Sequence, residues 1–281
     1  MSSKFTTRSF YEAKAKNEKI AMLTAYDYSM AQIIDNTGID AILVGDSLGM
    51  VMQGRSTTLE VTMDEMVYHC KCVSQGVKST MVIGDLPFLS YHVSKEEAIR
   101  NAGRLIKEGL VQAVKLEGGK SMAGTVKAIT DAQIPVMGHI GLTPQSVHVF
   151  GGFRAQGKEE AKARALIEDA LALEEAGVFA IVLEAIPEEL AELITEKVKV
   201  ATISIGAGRY CNGQILVTED ILGLYSGFSP KFVKQYANLK NSIDEAVTGF
   251  IEEVKQQQFP EKIHTYTIDE TIMEKLRFSQ S

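Results

Sequence analysis

Six ionisable residues stand at matching places in this chain. Asp46, Asp85, Lys115 with Glu117, His139 and Glu184 close five short apolar runs: Ala41-Ile-Leu-Val-Gly-Asp46, Thr80-Met-Val-Ile-Gly-Asp85, Ala113-Val-Lys-Leu-Glu117, Pro135-Val-Met-Gly-His139 and Ala180-Ile-Val-Leu-Glu184. Each run is too short for a typical helix and rich in branched residues, which predicts a strand buried on both faces. Five polar endings in series imply parallel strands that deliver their tips to one face.

Asp46, Asp85 and Glu117 end strands two, three and four. Three crowded carboxylates repel one another unless a cation joins them. Their oxygens suit a hard cation such as Mg²⁺, which takes few carboxylates plus waters and substrate oxygens. The competing reading of each acid alone is a helix cap or a partner for a base. Lys115 and Glu117 are two apart on one strand, so both point to the same side, the interior in a barrel. A lysine there needs an anion: a substrate carboxylate, or Glu117 in a plain ion pair. Gly118 and Gly119 leave room for a ligand beside it.

His139, in Met137-Gly-His-Ile-Gly-Leu-Thr-Pro-Gln145, suits a hydrogen bond to a polarised oxygen, or a structural role. Glu184 follows Ile-Val-Leu, and apolar neighbours raise a carboxylate's proton affinity, which suits a general acid or base. Its alternatives are a partner for His139 or a cap on the helix at Pro187. Gly206-Ala-Gly-Arg-Tyr-Cys-Asn-Gly213 occupies a phosphate-binding location of many barrels, or is a simple turn. His69, His92, His148 and His264 have no comparable context.

The elements that must position these groups alternate. Strands are predicted at 20–25, 41–46, 80–85, 112–117, 135–139, 179–184, 200–205 and 214–218, with helices between them. Thr62-Met-Asp-Glu and Ser94-Lys-Glu-Glu are helix starts, with acids in the first turn. Eight strands alternating with helices predict a (β/α)₈ TIM barrel. An open doubly wound sheet fits less well, because it gathers ligand groups from two or three strands at one switch point. One domain is expected: a lead-in at 1–19 with a short helix, the barrel at 20–258 and a helical tail at 259–281.

The 281 residues are 45% hydrophobic and 23% charged, ordinary for a globular chain. A net charge of −7 and a pI near 5.4 disfavour nucleic acid and anionic membrane as partners. No run of eighteen apolar residues and no signal-peptide core are present, so a cytoplasmic protein is expected. Cys70, Cys72 and Cys211 lack zinc or redox spacing and read as reduced thiols.

Several blocks together resemble the ketopantoate hydroxymethyltransferase family. They are Leu23-Thr-Ala-Tyr-Asp27, Val44-Gly-Asp-Ser-Leu-Gly49, Gly84-Asp-Leu-Pro-Phe88, Val114-Lys-Leu-Glu-Gly-Gly119 and Gly138-His-Ile-Gly-Leu-Thr-Pro-Gln145. Leu183-Glu184, Gly206-Ala-Gly208, Gly213-Gln-Ile-Leu-Val217 and Pro230-Lys-Phe-Val-Lys234 continue the match, which runs from residue 20 to about 240. The resemblance implies a barrel of the phosphoenolpyruvate/pyruvate superfamily. It implies transfer of a hydroxymethyl group from 5,10-methylenetetrahydrofolate to 3-methyl-2-oxobutanoate, giving 2-dehydropantoate for pantothenate and coenzyme A synthesis. It implies Mg²⁺ on Asp46, Asp85 and Glu117, keto-acid contacts from Asp46, Ser47, Asp85 and Lys115, proton transfer by Glu184, and a homodecamer.

The implied chemistry is an enolate of the keto acid, stabilised by the metal, that attacks the one-carbon unit of the folate. Lys115 offsets the substrate carboxylate, and His139 bonds the enolate or orients the site. Asn212 departs from the pattern, which commonly has Asp before Gly-Gln; the change places folate contacts near the seventh loop in question. The rivals are a Mg²⁺-dependent lyase or mutase of the same superfamily and a non-catalytic keto-acid-binding barrel. Lyases and mutases usually carry a loop cysteine or a phosphorus-binding pocket, and no cysteine falls between the third and fifth strand ends.

Overall fold

A computed structural model describes residues 4–152, 154–224 and 230–278. The first three residues of the lead-in and the last three of the tail lie outside it. Eight parallel strands close into a barrel in sequence order. They are β1 (Ile20–Thr24), β2 (Ala41–Val44), β3 (Met81–Asp85), β4 (Ala113–Glu117), β5 (Val136–Gly141), β6 (Ala180–Glu184), β7 (Ala201–Ile205) and β8 (Gly213–Leu216). β8 pairs with β1, Gly213 opposite Ile20, which completes the ring.

The helices are α1 (Thr7–Lys16), α2 (Tyr28–Asp35), α3 (Leu48–Val51), α4 (Met63–Gly76), α5 (Lys95–Lys107), α6 (Ala123–Asp131), α7 (Val147–Phe150), α8 (Glu160–Glu175), α9 (Glu188–Lys197), α10 (Thr218–Leu222), α11 (Leu239–Lys255) and α12 (Glu270–Phe278). The expected start at Thr62 is a full capping box with Glu65. At Ser94 the hydroxyl accepts from the Glu97 N–H, without the reciprocal bond. The expected alternation fails at one place: only residues 206–212 join β7 to β8, with no helix among them. The short helices α3, α7 and α10 break loops that carry no helical periodicity in the sequence.

Two cores follow from the strand alternation. Ile42, Val44, Val82, Val114, Leu116, Ile181 and Leu183 face outward onto the helices. Ile20, Met22, Leu43, Met81, Ile83, Met137, Val182 and Ile203 fill the barrel. Phe10 of α1 belongs to this inner core and is fully buried, with its ring 5.0 Å from that of Phe179 in an edge-on contact. Lys14, one helical turn on, donates to the carbonyls of Thr195, Val198 and Val200 at the end of α9. The lead-in helix therefore seals the N-terminal end of the barrel, and the polar strand ends lie at the other. Phe10→Ala removes a fully buried aromatic plug. It should lower unfolding free energy by about 3–5 kcal/mol, measured by denaturant titration.

Candidate active site

Alternation decides which side chains reach the axis. Met81, Ile83 and Asp85 share one face of β3, and Ala113, Lys115 and Glu117 one face of β4. Met137 and His139 do so on β5, and Ala180, Val182 and Glu184 on β6. The lower members fill the inner core, so the upper members face the same axis one layer higher. Register sets the neighbours: Asp85 pairs with Lys115, and Glu117 with His139. Asp46 sits two residues beyond β2, in the turn before α3. Asp46, Asp85, Lys115, Glu117 and His139 are all buried, and the Glu184 side chain is 13% exposed.

The site has two halves. In the first, Lys115 Nζ donates to Asp85 Oδ2 at 2.6 Å, and the Asp46 N–H donates to the same oxygen at 3.3 Å. Lys115 thus pairs with Asp85 and not with Glu117. In the second, His139 stands between two acids, with Nδ1 3.5 Å from Glu117 Oε1 and Nε2 3.1 Å from Glu184 Oε2. Neither ring N–H is aligned as a hydrogen bond, so the attraction is that of an ion pair. Ser47 Oγ lies 2.7 Å from the Tyr26 hydroxyl.

The charges explain one another. Burial, then Asp85 and Glu117, push the Asp46 carboxyl well up. Burial raises Asp85 too, against the pull of Lys115. Burial also works to raise Glu117, but His139 and Lys115 hold it below its ordinary value. Burial would lower His139, yet Glu117 and Glu184 push it up to about 9. Lys115 is raised despite its burial by Asp85, Glu117 and Asp46. Four carboxyl groups therefore share one lysine and one imidazolium, and the cluster is short of positive charge.

A divalent cation fits that deficit. Asp85 Oδ1 is buried without a hydrogen-bond partner among the described residues. Asp46 and Asp85 are tied to one another through the Asp46 N–H, and two carboxylates suffice for Mg²⁺ when waters and substrate oxygens complete it. Among the described residues no group of three His, Cys, Asp or Glu side chains stands in metal-holding geometry. Glu117 is turned away, one oxygen toward His139 and the other accepting from the Gln145 N–H at 3.0 Å.

Two buried residues in the cluster carry no charge pattern a sequence reader could follow. Gln145 Nε2 donates to Asp46 Oδ2 at 2.8 Å, and Tyr91 donates to Gln145 Oε1 at 2.7 Å. Gln145 does sit inside a motif block, and that is the one signal it gives. Asn212 is elsewhere. It precedes β8 at the sealed end, where its Oδ1 accepts from the Thr202 N–H and its carbonyl from the Ile20 N–H. Residues 206–212 descend the barrel's flank from mouth to floor, so the change at Asn212 does not bear on contacts at the mouth.

The family model described as ketopantoate hydroxymethyltransferase matches residues 4–262. The 3-methyl-2-oxobutanoate hydroxymethyltransferase of Clostridium beijerinckii is 59% identical, over 97% of this chain and 99% of its own. That of Syntrophomonas wolfei is 58% identical, over 94% and 96%. Among solved structures, phosphonopyruvate hydrolase with oxalate and Mg²⁺ superposes with a TM-score of 0.60 at 12% identity, covering 96% of each chain. The 2,3-dimethylmalate lyase of the PEP mutase/isocitrate lyase superfamily does so at 0.59 and 17%, covering 92% of this chain and 91% of the lyase. These last two share the fold.

Two buried acids lie outside the strand-end pattern, Asp35 at the end of α2 and Glu219. Glu219, in the first turn of α10, is 6% exposed, and its Oε2 has no partner among the described residues. Burial, helped by Asp220 and Asp27, pushes it up to about 7 from an ordinary 4.5. The folded protein thus holds this proton more tightly than the unfolded chain. Stability falls as pH rises from about 4.5 through about 7, and the penalty is complete above that. Glu219→Gln, which cannot ionise, should melt higher than the parent at pH 8, with the gap closing toward pH 4. A melting-temperature difference that is flat in pH would show that Glu219 is not ionising in the fold.

Proposed function

The chain belongs to the ketopantoate hydroxymethyltransferase family, and from that membership we propose that it transfers a hydroxymethyl group from 5,10-methylenetetrahydrofolate to 3-methyl-2-oxobutanoate, yielding 2-dehydropantoate. The observation that supports this reading most is the buried, cation-deficient carboxylate cluster at the open end of a sealed barrel. A 2-oxo acid offers a carboxylate and a ketone oxygen, a chelating pair, and must lose a proton from C3.

Asp46 and Asp85 would hold Mg²⁺, with Glu117 in the same layer, and the bound ion would supply the Lewis acidity that makes a C3 proton labile. Lys115 pairs with Asp85 and faces the substrate carboxylate, an ion-pair donor in a buried site. Ser47, oriented by Tyr26, donates to the keto acid. Glu184, the least enclosed of the acids at the mouth, takes the C3 proton. His139 holds Glu184 and Glu117 apart and aimed, a positioning role more than direct contact. The new carbon–carbon bond forms at C3, and water releases the folate nitrogen. The lyase and hydrolase neighbours argue for a shared fold, not a shared reaction, at 12–17% identity.

We read the working assembly as a homo-oligomer, the decamer that the family resemblance implies. Ile243, Val247, Phe250, Ile251 and Val254 line one face of α11 at helical spacing, and none is buried by its own chain. A negative charge of −7 and a small-molecule reaction fit a cytoplasmic enzyme without nucleic-acid or membrane partners. Among the described residues no helix is long and apolar enough to cross a membrane.

Deuterium exchange at C3 of 3-methyl-2-oxobutanoate, with Mg²⁺ and no folate, isolates the first step. Asp85→Asn should slow it about 100-fold or more, and Glu184→Gln by about 10²–10⁴. Exchange at the parent rate in Asp85→Asn would remove Asp85 from the cation site. Phe250→Glu should reduce the mass seen by light scattering; an unchanged mass would show that this face does not make the assembly.

A further inference from the structure

Gln145 is buried, and both ends of its side-chain amide and its backbone N–H are hydrogen-bonded. Its Nε2 donates to Asp46 Oδ2 at 2.8 Å and to the Leu86 carbonyl at 3.0 Å. Its Oε1 accepts from the Tyr91 hydroxyl at 2.7 Å, and the Tyr91 oxygen accepts in turn from the Glu117 N–H at 3.2 Å. Its backbone N–H donates to Glu117 Oε2. The direction of this chain is fixed. The Leu86 carbonyl can only accept, so the amide must present its NH₂ to it and to Asp46 beside it, and its oxygen is left for Tyr91. A flipped amide would set oxygen against two oxygens.

We propose that Gln145, oriented by Tyr91, is the positioning residue that sets the Asp46 carboxylate for the cation. The inference rests on Asp46 and Asp85 holding that cation. Asp46 lies outside any strand, so no ladder bond fixes it as β3 fixes Asp85. Among the described residues the Gln145 amide is the one hydrogen bond its side chain accepts. That bond spends one oxygen, aims the carboxylate plane and leaves the other oxygen for the metal. The same residue reaches Glu117 through its backbone, so one turn before α7 holds both carboxylates in register. A polar residue behind a metal ligand typically accounts for 10–100-fold in metal affinity or activity.

The probe is Mn²⁺ binding to the protein without substrate, by calorimetry or by the loss of free Mn²⁺ signal in electron paramagnetic resonance. Gln145→Met keeps the shape and the backbone bond to Glu117 but deletes the amide. It should weaken Mn²⁺ binding 10–100-fold. Tyr91→Phe deletes one hydroxyl, and should weaken it by a smaller factor. The double variant should bind no worse than Gln145→Met alone, since Tyr91 acts through the amide. Thermal melts run alongside separate packing from positioning. Lowered melting with unchanged Mn²⁺ affinity in both single variants would overturn the proposal. Should Gln145→Met fail to fold, Tyr91→Phe decides alone: parent-like affinity overturns the inference, and a loss supports it. A parent protein that binds no Mn²⁺ would sink the cation reading itself, and this inference with it.

Discussion

Like charges held close together without water are the constraint from which the rest of this structure follows. Asp46, Asp85 and Glu117 converge in a layer where burial alone would favour neutral acids. Lys115 answers one of them directly at 2.6 Å, and His139 answers Glu117 and Glu184 from between them. Isolated buried ions are very costly, and pairing offsets that cost only where geometry is fixed. The protein meets this requirement with strands. Asp85, Lys115, Glu117, His139 and Glu184 all leave the backbone from a hydrogen-bonded ladder, so their separations are set by register and not by flexible loops. A remaining shortage of positive charge is what would favour a divalent cation in the cluster.

The two ends of the barrel are built for opposite tasks. At the N-terminal end Phe10 plugs the interior, and Lys14 gathers three carbonyls from the end of α9. That end is closed and apolar inside, and the polar layer sits at the other. At the mouth, Asp46 and Ser47 are the exceptions to the strand rule, because they stand in a turn. Their order comes from side chains instead: Gln145 for Asp46 and Tyr26 for Ser47. Positions that lack ladder support thus depend on their side-chain partners alone for their order.

Much of this was legible from the chain. The period of two within Ala113-Val-Lys-Leu-Glu117 puts Lys115 and Glu117 on one side whatever the fold, and the repeated apolar run with an ionisable end marks the strands. Which base pairs with which acid was not legible. Lys115 takes Asp85, thirty residues away, because neighbouring strands align them. The pairing of Tyr91 and Gln145 with this cluster was not legible for the same reason, although Gln145 closes a motif block. A tyrosine and a glutamine in loops carry no periodic signal, and Gln145 meets Asp46 across ninety-nine residues. Asn212 follows the same rule: it lies near Gly213 in sequence and near the floor in space, since the connection from β7 runs down the flank without a helix.

The sequence by itself determined the strands, their polar tips, the side of the strand each tip faces, and the family to which these blocks belong. These are local properties, set by side-chain type and a two-residue repeat. Only the tertiary structure decided that the lead-in is a plug, that Glu117 faces His139, that Glu219 is buried, and that one amide ties Asp46 to the rest. Those contacts join segments tens of residues apart, and it takes closure of the ring and the stagger of its strands to bring them within hydrogen-bond reach.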